Sequence, residues 1–328
     1  MRIAVTGSIA TDHLLDYSGR FAEQLIPEQL DRISLSFLAD NLEVRRGGVA
    51  ANISLGLGRL GVGPILVGAA GVDFSEYDAW LRSHGVDTAS VHISENRHTA
   101  RFVCTTDADQ NQIATFHPGA MTEAQGIVLG RTARRVGGLD LVVIAPNDPT
   151  AMVRHTVECR SWRVPFAADP SQQLAHLDGE QTRRLVDGAR LLFTNAYEAA
   201  LLKERTGWSE HDILERVGTW ITTHGAEGVT MATADGTRVD VSAVPTDRAV
   251  DPTGVGDAFR AGFLAGMAWR WLPEHGAQLG CALATLVLEA VGAQEYKIVP
   301  VELADRMREV YGRAAVAPDL DARLENAL

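Results

Sequence analysis

Short, continuous apolar segments alternate with amphipathic stretches along most of the chain. The apolar segments that predict buried strands are Ile3–Ile9, Ile65–Gly68, Leu141–Ala145, Phe166–Asp169, Leu191–Asn195 and Trp220–Thr223. Helical patterns such as Glu198–Arg205 lie between several of them. Strands without alternating polar positions are typical of a parallel sheet that helices cover on both faces. The pattern therefore predicts an α/β fold with a mostly parallel central sheet.

Two regions, residues 11–46 and 86–118, depart from this alternation. They carry strand-like segments without intervening helices, namely Ile33–Leu38, Val91–Ser94, Thr99–Thr105 and Gln112–Phe116. In the last two segments polar and apolar residues tend to alternate, as in an antiparallel sheet with one face in solvent. We interpret the two regions as one small β-sheet inserted into a single domain of residues 1–328, and we expect this sheet to act as a lid.

Local sequence signals mark the ends of other elements. Ser209 with Asp212 resembles a capping box at a helix start. Residues 235–236, Asp-Gly, are a strong signal for a tight turn between two strands. The turn joins Val229–Thr233 to Thr237–Val241. A separate β-hairpin is therefore expected near the end of the main sheet.

The composition disfavours several classes of protein. With 30 basic and 42 acidic side chains, the 328-residue chain has a formal net charge of −12, so nucleic acids and membrane surfaces, both polyanionic, are poor partners. No segment approaches the ~18 consecutive apolar residues of a membrane span, and the first residues lack the apolar stretch of a signal peptide. The three scattered cysteines form no Cys-x-x-Cys pair. A reducing cytoplasm is the expected location.

One glycine motif is misleading. Residues 56–61 match G-x-G-x-x-G, but a dinucleotide site requires a strand before the motif and a helix that begins within it. Here Val49–Leu55 predicts a helix that is already under way, so Gly61 is expected to cap its C-terminus. We therefore interpret the glycines as close-packing positions and reject a nicotinamide-dependent oxidoreductase.

The segment 251–257, DPTGVGD, leads directly into a helical pattern over Ala258–Trp271. Glycines at a helix start allow backbone N–H groups to converge on an anion, and the helix dipole adds to the attraction. An aspartate at the same point indicates a catalytic role, since a second negative charge would otherwise disfavour an anion there. Asp257 can accept the proton of an attacking hydroxyl while the amides of Gly254, Val255 and Gly256 hold the transferring phosphoryl group. The structural alternative is an ordinary loop-to-helix junction with Asp257 as a first-turn acid.

In this longer form the segment resembles the D-[TP]-x-G-x-G-D signature of the ribokinase-like (PfkB) carbohydrate and nucleoside kinases. The resemblance extends over nearly the whole chain, and several motifs follow in the family order. It implies a ribokinase-like α/β fold, a small-molecule acceptor, ATP as the phosphoryl donor and Mg²⁺ as the metal ion.

Two features near the N-terminus match the acceptor site of that family. The segment 47–52, GGVAAN, is similar to its Gly-Gly-x-x-x-Asn substrate motif, and Asp12 matches its sugar-binding aspartate. The resemblance implies that Asp12, Gly48 and Asn52 hold a ribose. A carboxylate suits vicinal hydroxyls, and an amide side chain both donates and accepts hydrogen bonds. Without the other motifs, Asp12 would be interpreted as a loop or capping residue.

Two further motifs match the nucleotide site of the family. Asn195 and Glu198 resemble its N-x-x-E element, which organises Mg²⁺ and the ATP phosphates, and Glu198 is expected to act through metal-bound water. Thr223, Gly225 and Gly228 match its T-x-G-x-x-G turn near the phosphates. The structural alternatives are a capped helix start and a strand-to-hairpin loop.

The family often holds a monovalent cation beside the anion hole, mainly through carbonyl oxygens. Asp251, Thr253 and Gly292 fall near the matching positions. The resemblance therefore implies K⁺ as a further ligand at these three residues.

Three features resemble bacterial adenosine kinases, especially those of actinobacteria. Gln172 and Gln173, in ADPSQQ, can meet the donor and acceptor edge of adenine, and Phe102 and Phe116 on the lid strands can sandwich a purine. The third feature is the segment Thr115–Met121. Candidates for further polar contacts are Ser8 and Ser36. The structural alternatives are lid-core packing for the phenylalanines and solvated loop positions for the glutamines.

The sequence therefore predicts ATP-dependent phosphorylation of adenosine at its 5′-hydroxyl, a reaction of purine salvage, by a homodimer formed through exposed edges of the lid sheet. Two alternatives stay open. A ribokinase- or fructokinase-type sugar kinase would share the catalytic core, although a sugar-phosphate acceptor would require clustered Arg or Lys, which the pocket segments offer sparsely. A catalytically silent nucleotide-binding regulatory protein would lack the base or the anion hole, and both are present.

Overall fold

A computed structural model describes residues 1–25 and 34–326 of the chain. Its strands are β1 (Ile3–Thr6), β2 (Ala10–Asp16), β3 (Asn41–Gly47), β4 (Ile65–Val67), β5 (Ala69–Ala70), β6 (His92–Ile93), β7 (Ala100–Thr106), β8 (Gln112–His117), β9 (Leu141–Ile144), β10 (Phe166–Ala168), β11 (Leu191–Asn195), β12 (Thr219–Thr223), β13 (Val229–Ala232) and β14 (Arg238–Val241).

The helices are α1 (Phe21–Gln24), α2 (Val49–Arg59), α3 (Ser75–Ser83), α4 (Leu129–Val136), α5 (Pro149–Trp162), α6 (Gly179–Val186), α7 (Ala196–Thr206), α8 (Glu210–Leu214), α9 (Val255–Ala268), α10 (Pro273–Leu288), α11 (Pro300–Tyr311) and α12 (Leu320–Glu325). Short 3-10 helices cover Gly119–Gly126, Ser171–Ala175 and Gly225–Glu227. In the ranges that the structure describes, no helix combines the length and apolarity needed to cross a membrane.

The main sheet has eight strands in the order β14-β13-β12-β11-β10-β9-β1-β4. The strands from β4 to β12 in this order pair in parallel, and the hairpin β13–β14 continues the sheet with antiparallel pairing. All six predicted buried strands lie in this sheet, and the predicted hairpin is confirmed. The ribokinase-like α/β architecture inferred from the sequence is therefore present.

Helices bury both faces of the main sheet, which explains its continuous apolar strands. Leu141 and Val143 of β9 pack on one face with residues of α2, α9 and α10, whereas Val142 and Ile144 pack on the other face with residues of α5, α6 and α7. All four side chains are at most 1% exposed. Successive residues of a strand point to opposite faces, so a strand between two helical layers is buried on both faces and favours apolar residues throughout.

A second, four-stranded sheet has the order β3-β2-β7-β8. Three residues separate the end of β1 from the start of β2, so the small sheet lies next to the carboxyl ends of the main-sheet strands. Strands β7 and β8 confirm the predicted segments at 99–105 and 112–116. This sheet is the structural counterpart of the predicted lid.

Two of the predicted lid strands are corrected by the structure. The segment Val91–Ser94 contributes only His92–Ile93, which pairs with β5 beside the main domain instead of joining the small sheet. Ile33 lies outside the described residues, and residues 34–38 form no strand. The small sheet is completed instead by β2 and β3, in which charged residues interrupt the apolar pattern.

The G-x-G-x-x-G segment lies within helix α2 and its C-terminal turn, as expected. A Cβ atom at Gly56 would lie 2.6 Å from the Cβ of Ala261 in α9, and one at Gly58 would lie 2.1 Å from the carbonyl oxygen of His84. Gly61 has φ +69° directly after the helix. The glycines allow close packing, and helix α2 begins at Val49, well before the motif instead of within it, which excludes the dinucleotide interpretation.

We expect Gly58→Ala to destabilise the protein by about 1–3 kcal/mol, because the new methyl group would overlap a backbone oxygen that cannot move alone. Alanine is otherwise the better helix former, so the sign of the effect comes from this contact. The control is Gly126→Ala, where no atom lies within 4 Å of the added Cβ. Urea unfolding of the three proteins measures the difference, and equal stability of Gly58→Ala and wild type would contradict close packing.

Candidate active site

A cleft with a volume of about 610 Å³ lies between the small sheet and the carboxyl ends of the main-sheet strands; we call it the inter-sheet cleft. Most of the sequence-predicted acceptor residues line it together with the anion-hole segment. The predicted residues on its wall are Ser8, Asp12, Gly48, Asn52, Phe102, Phe116, Gln172, Gln173, Asp251, Thr253, Gly254, Asp257 and Gly292. Residues that are distant in the sequence thus meet at one site, because parallel strands end at the same edge of a sheet.

The glycine-rich segment forms the start of α9 at the floor of this cleft. Gly254 has φ +79° and is the N-cap residue, and a Cβ there would lie 2.4 Å from the Cβ of Ala293. Val255, Gly256 and Asp257 follow as the first helical turn. First-turn amides lack intrahelical acceptors, and the N–H of Val255 makes only a long 3.3 Å bond to Pro252. The segment therefore presents N–H groups and the positive end of a helix dipole to the cleft.

Asp257 combines burial with a hydrogen-bond donor in its surroundings. Its Oδ2 accepts a 2.8 Å hydrogen bond from Nδ2 of Asn52. Burial raises the pKa of Asp257 to about 6, although the charge of Arg260 and the bond from Asn52 oppose the shift. A carboxylate with a pKa near 6 is ionised at neutral pH and is a stronger base than an exposed aspartate.

Asn52 is held in place by a chain of hydrogen bonds. Nε2 of Gln294 donates to Oδ1 of Asn52 at 2.8 Å and to the hydroxyl of Tyr77, which in turn donates to the carbonyl oxygen of Gly47 at 2.8 Å. The amide of Asn52 therefore directs its NH₂ group toward Asp257. This network links the Gly-Gly-x-x-x-Asn segment to the anion-hole segment.

Asp12 and Gly48 form the small-sheet side of the site. Gly48 has φ +93°, and a Cβ there would lie 2.6 Å from the backbone nitrogen of Ala10, so this position requires glycine. The Asp12 carboxylate lies against Gly47, where a Cβ would be 2.7 Å from Oδ2. Burial raises the pKa of Asp12 to about 6, opposed by the charge of Arg45.

Phe102 and Phe116 are directly opposite each other on β7 and β8. Both side chains line the cleft, and Phe116 is 48% exposed. Gln172 and Gln173 lie in the 3-10 helix that follows β10, on another wall of the cleft. An aromatic pair and two amide side chains thus line the same cavity, which suits a flat, polar-edged ring.

The two serines of the predicted acceptor set have different positions. Ser8 is buried on the cleft wall, and its Oγ accepts a 3.0 Å hydrogen bond from the N–H of Val49, the first residue of α2. Ser36 is exposed and is not among the residues that line the cleft, so a substrate contact by Ser36 stays a prediction. The sequence could not place Ser36 because the segment around it belongs to no strand or helix.

A second cavity of about 540 Å³ lies on the other side of the anion-hole segment; we call it the hairpin cavity. Its wall includes Thr223, Gly225 and Gly228, the three predicted residues of the turn before β13, together with Val255 and Gly256. The anion-hole segment is thus shared by two cavities, each large enough for a small ligand.

Asn195 and Glu198 form a capping box at the start of α7. Oδ1 of Asn195 accepts from the N–H of Glu198 and Oε2 of Glu198 accepts from the N–H of Asn195, both at 2.8 Å. Neither residue lines the inter-sheet cleft or the hairpin cavity, and their role near the ATP phosphates, with Glu198 acting through metal-bound water, stays a prediction. The negative charge of Glu198 nevertheless contributes to the raised pKa of Asp257, so the two carboxylates lie near each other.

The residues present are compatible with Mg²⁺ bound through substrate phosphates. Within residues 1–25 and 34–326, no cluster of three or more His, Cys, Asp or Glu side chains could hold a metal ion alone. Mg²⁺ commonly takes one or two carboxylates together with phosphate oxygens and water. Oε1 of Glu198 makes only a long 3.4 Å contact with Ser171, so it can accept from a metal-bound water.

The Asp251 side chain at the predicted K⁺ site already has several partners, and the binding of K⁺ through carbonyl oxygens stays a prediction. Oδ1 of Asp251 accepts from the N–H of Thr253, and Oδ2 accepts from the N–H of Gly292, both at 2.9 Å. Nη1 of Arg45 lies 3.3 Å from Oδ2 as well, and Glu43 holds the same guanidinium through two bonds. The Asp251 carboxylate is therefore occupied by three donors, and a permanent positive charge already lies beside it.

Several site residues were missed by the sequence reasoning. Arg45 and His176 line the inter-sheet cleft, and Gln294 orients Asn52 from the far end of the chain. These contacts depend on tertiary structure and leave no local signal. Arg260 could have been found, because it follows Asp257 by three residues and therefore lies on the same face of α9.

A helix start with exposed N–H groups, a carboxylate beside it and one cavity on each side is the arrangement expected of a small-molecule phosphotransferase. The comparisons with known proteins agree. The model of the pfkB family of carbohydrate kinases matches residues 5–299, and the chain belongs to that family.

Two relatives with assigned activities illustrate the position of the chain within the family. It is similar to a nucleoside kinase of Methanothermobacter thermautotrophicus, with 33% identity over 76% of this chain and 80% of that one. It is also similar to an ATP-dependent ribose-1-phosphate kinase of Halopiger xanaduensis, with 32% identity over 70% of this chain and 74% of that one.

Solved structures of a Burkholderia thailandensis nucleoside kinase have the same fold. The structure in complex with inosine gives a TM-score of 0.82 at 34% identity and covers 94% of this chain and 98% of that one. The structure of the same kinase with ADP and inosine gives a TM-score of 0.79 at 35% identity and covers 94% and 96%.

Proposed function

We propose that this protein transfers the γ-phosphoryl group of ATP to the 5′-hydroxyl of a purine nucleoside, with adenosine as its preferred acceptor. The observation that carries the proposal is the position of Asp257 and the glycine segment between two cavities. A donor in one cavity and an acceptor in the other would both reach the same helix N-terminus. The similarity to nucleoside kinases over more than two thirds of the chain supports this reaction class.

The acceptor is assigned to the inter-sheet cleft. Asp12, Gly48 and Asn52 would hold the ribose, because a carboxylate and an amide there face the same side as the base Asp257. The purine would lie at the end of the cleft that Phe102 and Phe116 border, where an aromatic face gains by stacking. Gln172 and Gln173 would meet its polar edge.

ATP is assigned to the hairpin cavity. Its glycine turn, with Thr223, Gly225 and Gly228, offers backbone groups close to the shared anion-hole segment, as phosphate sites do. The similar Burkholderia kinase was solved with ADP and inosine, which supports two separate ligand sites. Asn195 and Glu198 would act from behind this region, Glu198 through water on Mg²⁺.

The chain's own residues would perform the transfer as follows. Asp257 accepts the proton of the 5′-hydroxyl as the new oxygen–phosphorus bond forms and the bond to the β,γ-bridging oxygen breaks, releasing ADP. The amides of Gly254, Val255 and Gly256 stabilise the charge on the equatorial oxygens. When bound, Mg²⁺ neutralises charge on the phosphates.

The small sheet would exclude water from the site, so we propose that it works as a lid over the acceptor. Among the described residues, its outer strands β3 and β8 each pair with a strand on one side only, and they expose Leu42, Val44 and Ile113, which are 47–55% exposed. Such edges favour pairing with another chain, and we propose a homodimer formed there. A cytoplasmic location would fit a substrate pool of free nucleosides and ATP.

A sugar or sugar-phosphate kinase is the alternative, and the Halopiger relative gives it a basis. Arg45 lies on the cleft wall, but its guanidinium is already paired with Glu43 and Asp251. The aromatic pair would have no partner in a complex with a free sugar. We therefore favour the nucleoside. The partly buried carboxylate of Asp257 beside the anion-hole segment favours a catalyst over a silent regulatory protein.

The experiment that tests the proposal is a comparison of acceptors. ADP release from ATP and Mg²⁺ is measured with adenosine, inosine, ribose, fructose and ribose 1-phosphate in turn, each with and without K⁺. We expect the highest kcat/KM with adenosine. A higher value with inosine would change the base that is preferred, and a higher value with any sugar would contradict the nucleoside assignment.

We expect Phe116→Ala to lower kcat/KM for adenosine by about 10- to 100-fold, because stacking of one base contributes roughly 1–3 kcal/mol. Phosphorylation of ribose should change little, since a free sugar has no base to stack. Initial rates with both acceptors measure the difference.

The matched control is Ile113→Ala on the same strand. Ile113 is 47% exposed, much like Phe116, but it lies three residues away and so on the opposite face of β8. Equal losses for adenosine and ribose in Phe116→Ala, or a similar loss in Ile113→Ala, would remove the stacking role.

A further inference from the structure

A buried arginine lies directly behind the anion-hole segment. Arg260 follows Asp257 by three residues in α9 and is 7% exposed. A Cβ at Gly256 would lie 2.7 Å from Nη1 of Arg260, so the guanidinium lies against the backbone of Gly256. The positive charge therefore lies beside the amides that would hold the transferring phosphoryl group.

One partner fixes this guanidinium in place. Nη2 of Arg260 donates a 2.6 Å hydrogen bond to Oδ1 of Asp169, whose side chain is fully buried. The Arg260 guanidinium also lies over the ring of Phe193, with its carbon 5.7 Å from the centroid. Asp169 directly follows β10, so the pair connects α9 to the loop that carries Gln172 and Gln173.

The pair is not fully satisfied, which separates it from an ordinary structural ion pair. Nε of Arg260 and Oδ2 of Asp169 are buried and have no hydrogen-bond partner in the described structure. Leaving such groups unpaired costs free energy, and replacement of a buried ion pair by apolar side chains is often neutral or stabilising. Stability alone therefore gives a weak reason for charges at these two positions.

We propose that Arg260, held by Asp169, is a positioning residue for phosphoryl transfer that places a fixed positive charge behind the anion hole and beside the base Asp257. The inference rests on the proposed function and deepens it. Three carboxylates meet near this guanidinium, those of Asp169, Glu198 and Asp257. The arrival of a triphosphate adds further negative charge, which a buried cation offsets strongly because the surroundings have a low dielectric constant.

The charge should act on the ionisation of Asp257. Burial raises the pKa of Asp257, and Arg260 is the largest opposing influence. The other titratable groups that interact with Asp257 are Asp169, Glu198, Tyr77 and Tyr296, and those that share its cleft are Asp12, Arg45, Asp251 and His176. Without Arg260, the neighbouring carboxylates and burial would favour the protonated form of Asp257.

The test uses the double variant Asp169→Leu/Arg260→Met, which removes both charges at once and keeps the volume. Arg260→Lys is the conservative partner, because it retains the charge without the planar fork. For each protein, ¹³C NMR of aspartate-labelled samples follows the titration of Asp257, with Asp257→Asn identifying the resonance. The pH dependence of kcat/KM for adenosine and the thermal midpoint are measured on the same samples.

We expect the double variant to fold with a thermal midpoint close to that of wild type. The titration midpoint of Asp257 and the acid limb of kcat/KM should both move upward by about 1–2 pH units. We expect kcat to fall by about 10- to 100-fold at its own optimum, as for loss of one preorganised electrostatic contact. Arg260→Lys should keep the titration midpoint near that of wild type.

A folded double variant with an unchanged Asp257 midpoint and unchanged kcat would overturn the inference and leave the pair a structural role. If the double variant does not fold, Arg260→Lys is the deciding variant. It retains the positive charge, so a titration midpoint of Asp257 that is raised by about 1–2 pH units in this variant would also overturn the inference. Failure of the proposed function is a separate outcome, since wild type would then release no acceptor-dependent ADP. The NMR titration still tests the charge effect in that case.

Discussion

Replacement of Asp257 by Asn is expected to lower kcat by roughly 10³-fold, because general-base catalysis by a positioned side chain contributes about 10²–10⁴. Asparagine has almost the same shape and cannot accept the proton of the 5′-hydroxyl. The dissociation constants of adenosine and ADP, measured by calorimetry, should change only a few-fold, since the cleft wall and the glycine segment remain.

The pH dependence of kcat/KM tests the role of Asp257 in a second way. The folded-state pKa of Asp257 is raised to about 6, so its ionised form prevails above this pH and is lost below it. Wild-type kcat/KM should therefore fall tenfold per pH unit below about 6.

The matched control is Asp212→Asn, which changes an aspartate at the same third position of a helix, α8, outside both cavities. Its turnover should equal that of wild type. If Asp257→Asn keeps turnover within a few-fold of wild type, Asp257 is not the base.

The second large effect is expected at the N-cap of α9. Gly254→Ala should lower kcat by about 10²–10³-fold, as for loss of an oxyanion-hole donor. Gly254 has φ +79°, and the new Cβ would lie 2.4 Å from the Cβ of Ala293, so the loop must shift and move its amides. The affinity for adenosine should change less than kcat, because the aromatic pair and the other cleft residues that would bind adenosine are unchanged. Steady-state kinetics and calorimetry separate the two effects.

The control for backbone strain is Gly236→Ala in the turn between β13 and β14. Gly236 has φ +85°, similar to Gly254, but no atom lies within 4 Å of an added Cβ. Both variants carry the cost of an alanine with positive φ. A difference in kcat between them therefore reports the displacement of the anion-hole amides. Equal kcat values for the two variants would contradict the role of the segment.

The main sheet was predictable because each strand is buried on both faces and so carries an uninterrupted apolar signal. The small sheet was harder. Strand β3 contains Glu43, Arg45 and Arg46, whose charges hide the strand pattern, although Arg45 has a defined place beside Asp251. Strand β6 was assigned to the wrong sheet because a two-residue strand carries no information about its partner.

The site was predictable where backbone geometry demands a particular residue. The glycines at 48 and 254 have positive φ, and the sequence records this requirement directly. The hydrogen-bond partners of Asn52 and Arg260 were not predictable. Gln294 belongs to no local motif, and Asp169, although it lies in the ADPSQQ segment, carries no local signal of its pairing with Arg260. Glu198 was placed at the nucleotide site by resemblance, whereas its closest contacts are those of a helix cap.

The most direct test of the central claim is the identity of the phosphorylated product. Wild-type protein is incubated with ATP, Mg²⁺ and either adenosine or 5′-deoxyadenosine, and the products are identified by ³¹P NMR and mass spectrometry. We expect stoichiometric ADP and adenosine 5′-monophosphate from adenosine, and neither product from 5′-deoxyadenosine. Phosphate on another hydroxyl, or ADP release that does not depend on the acceptor, would contradict transfer to the 5′-oxygen beside Asp257.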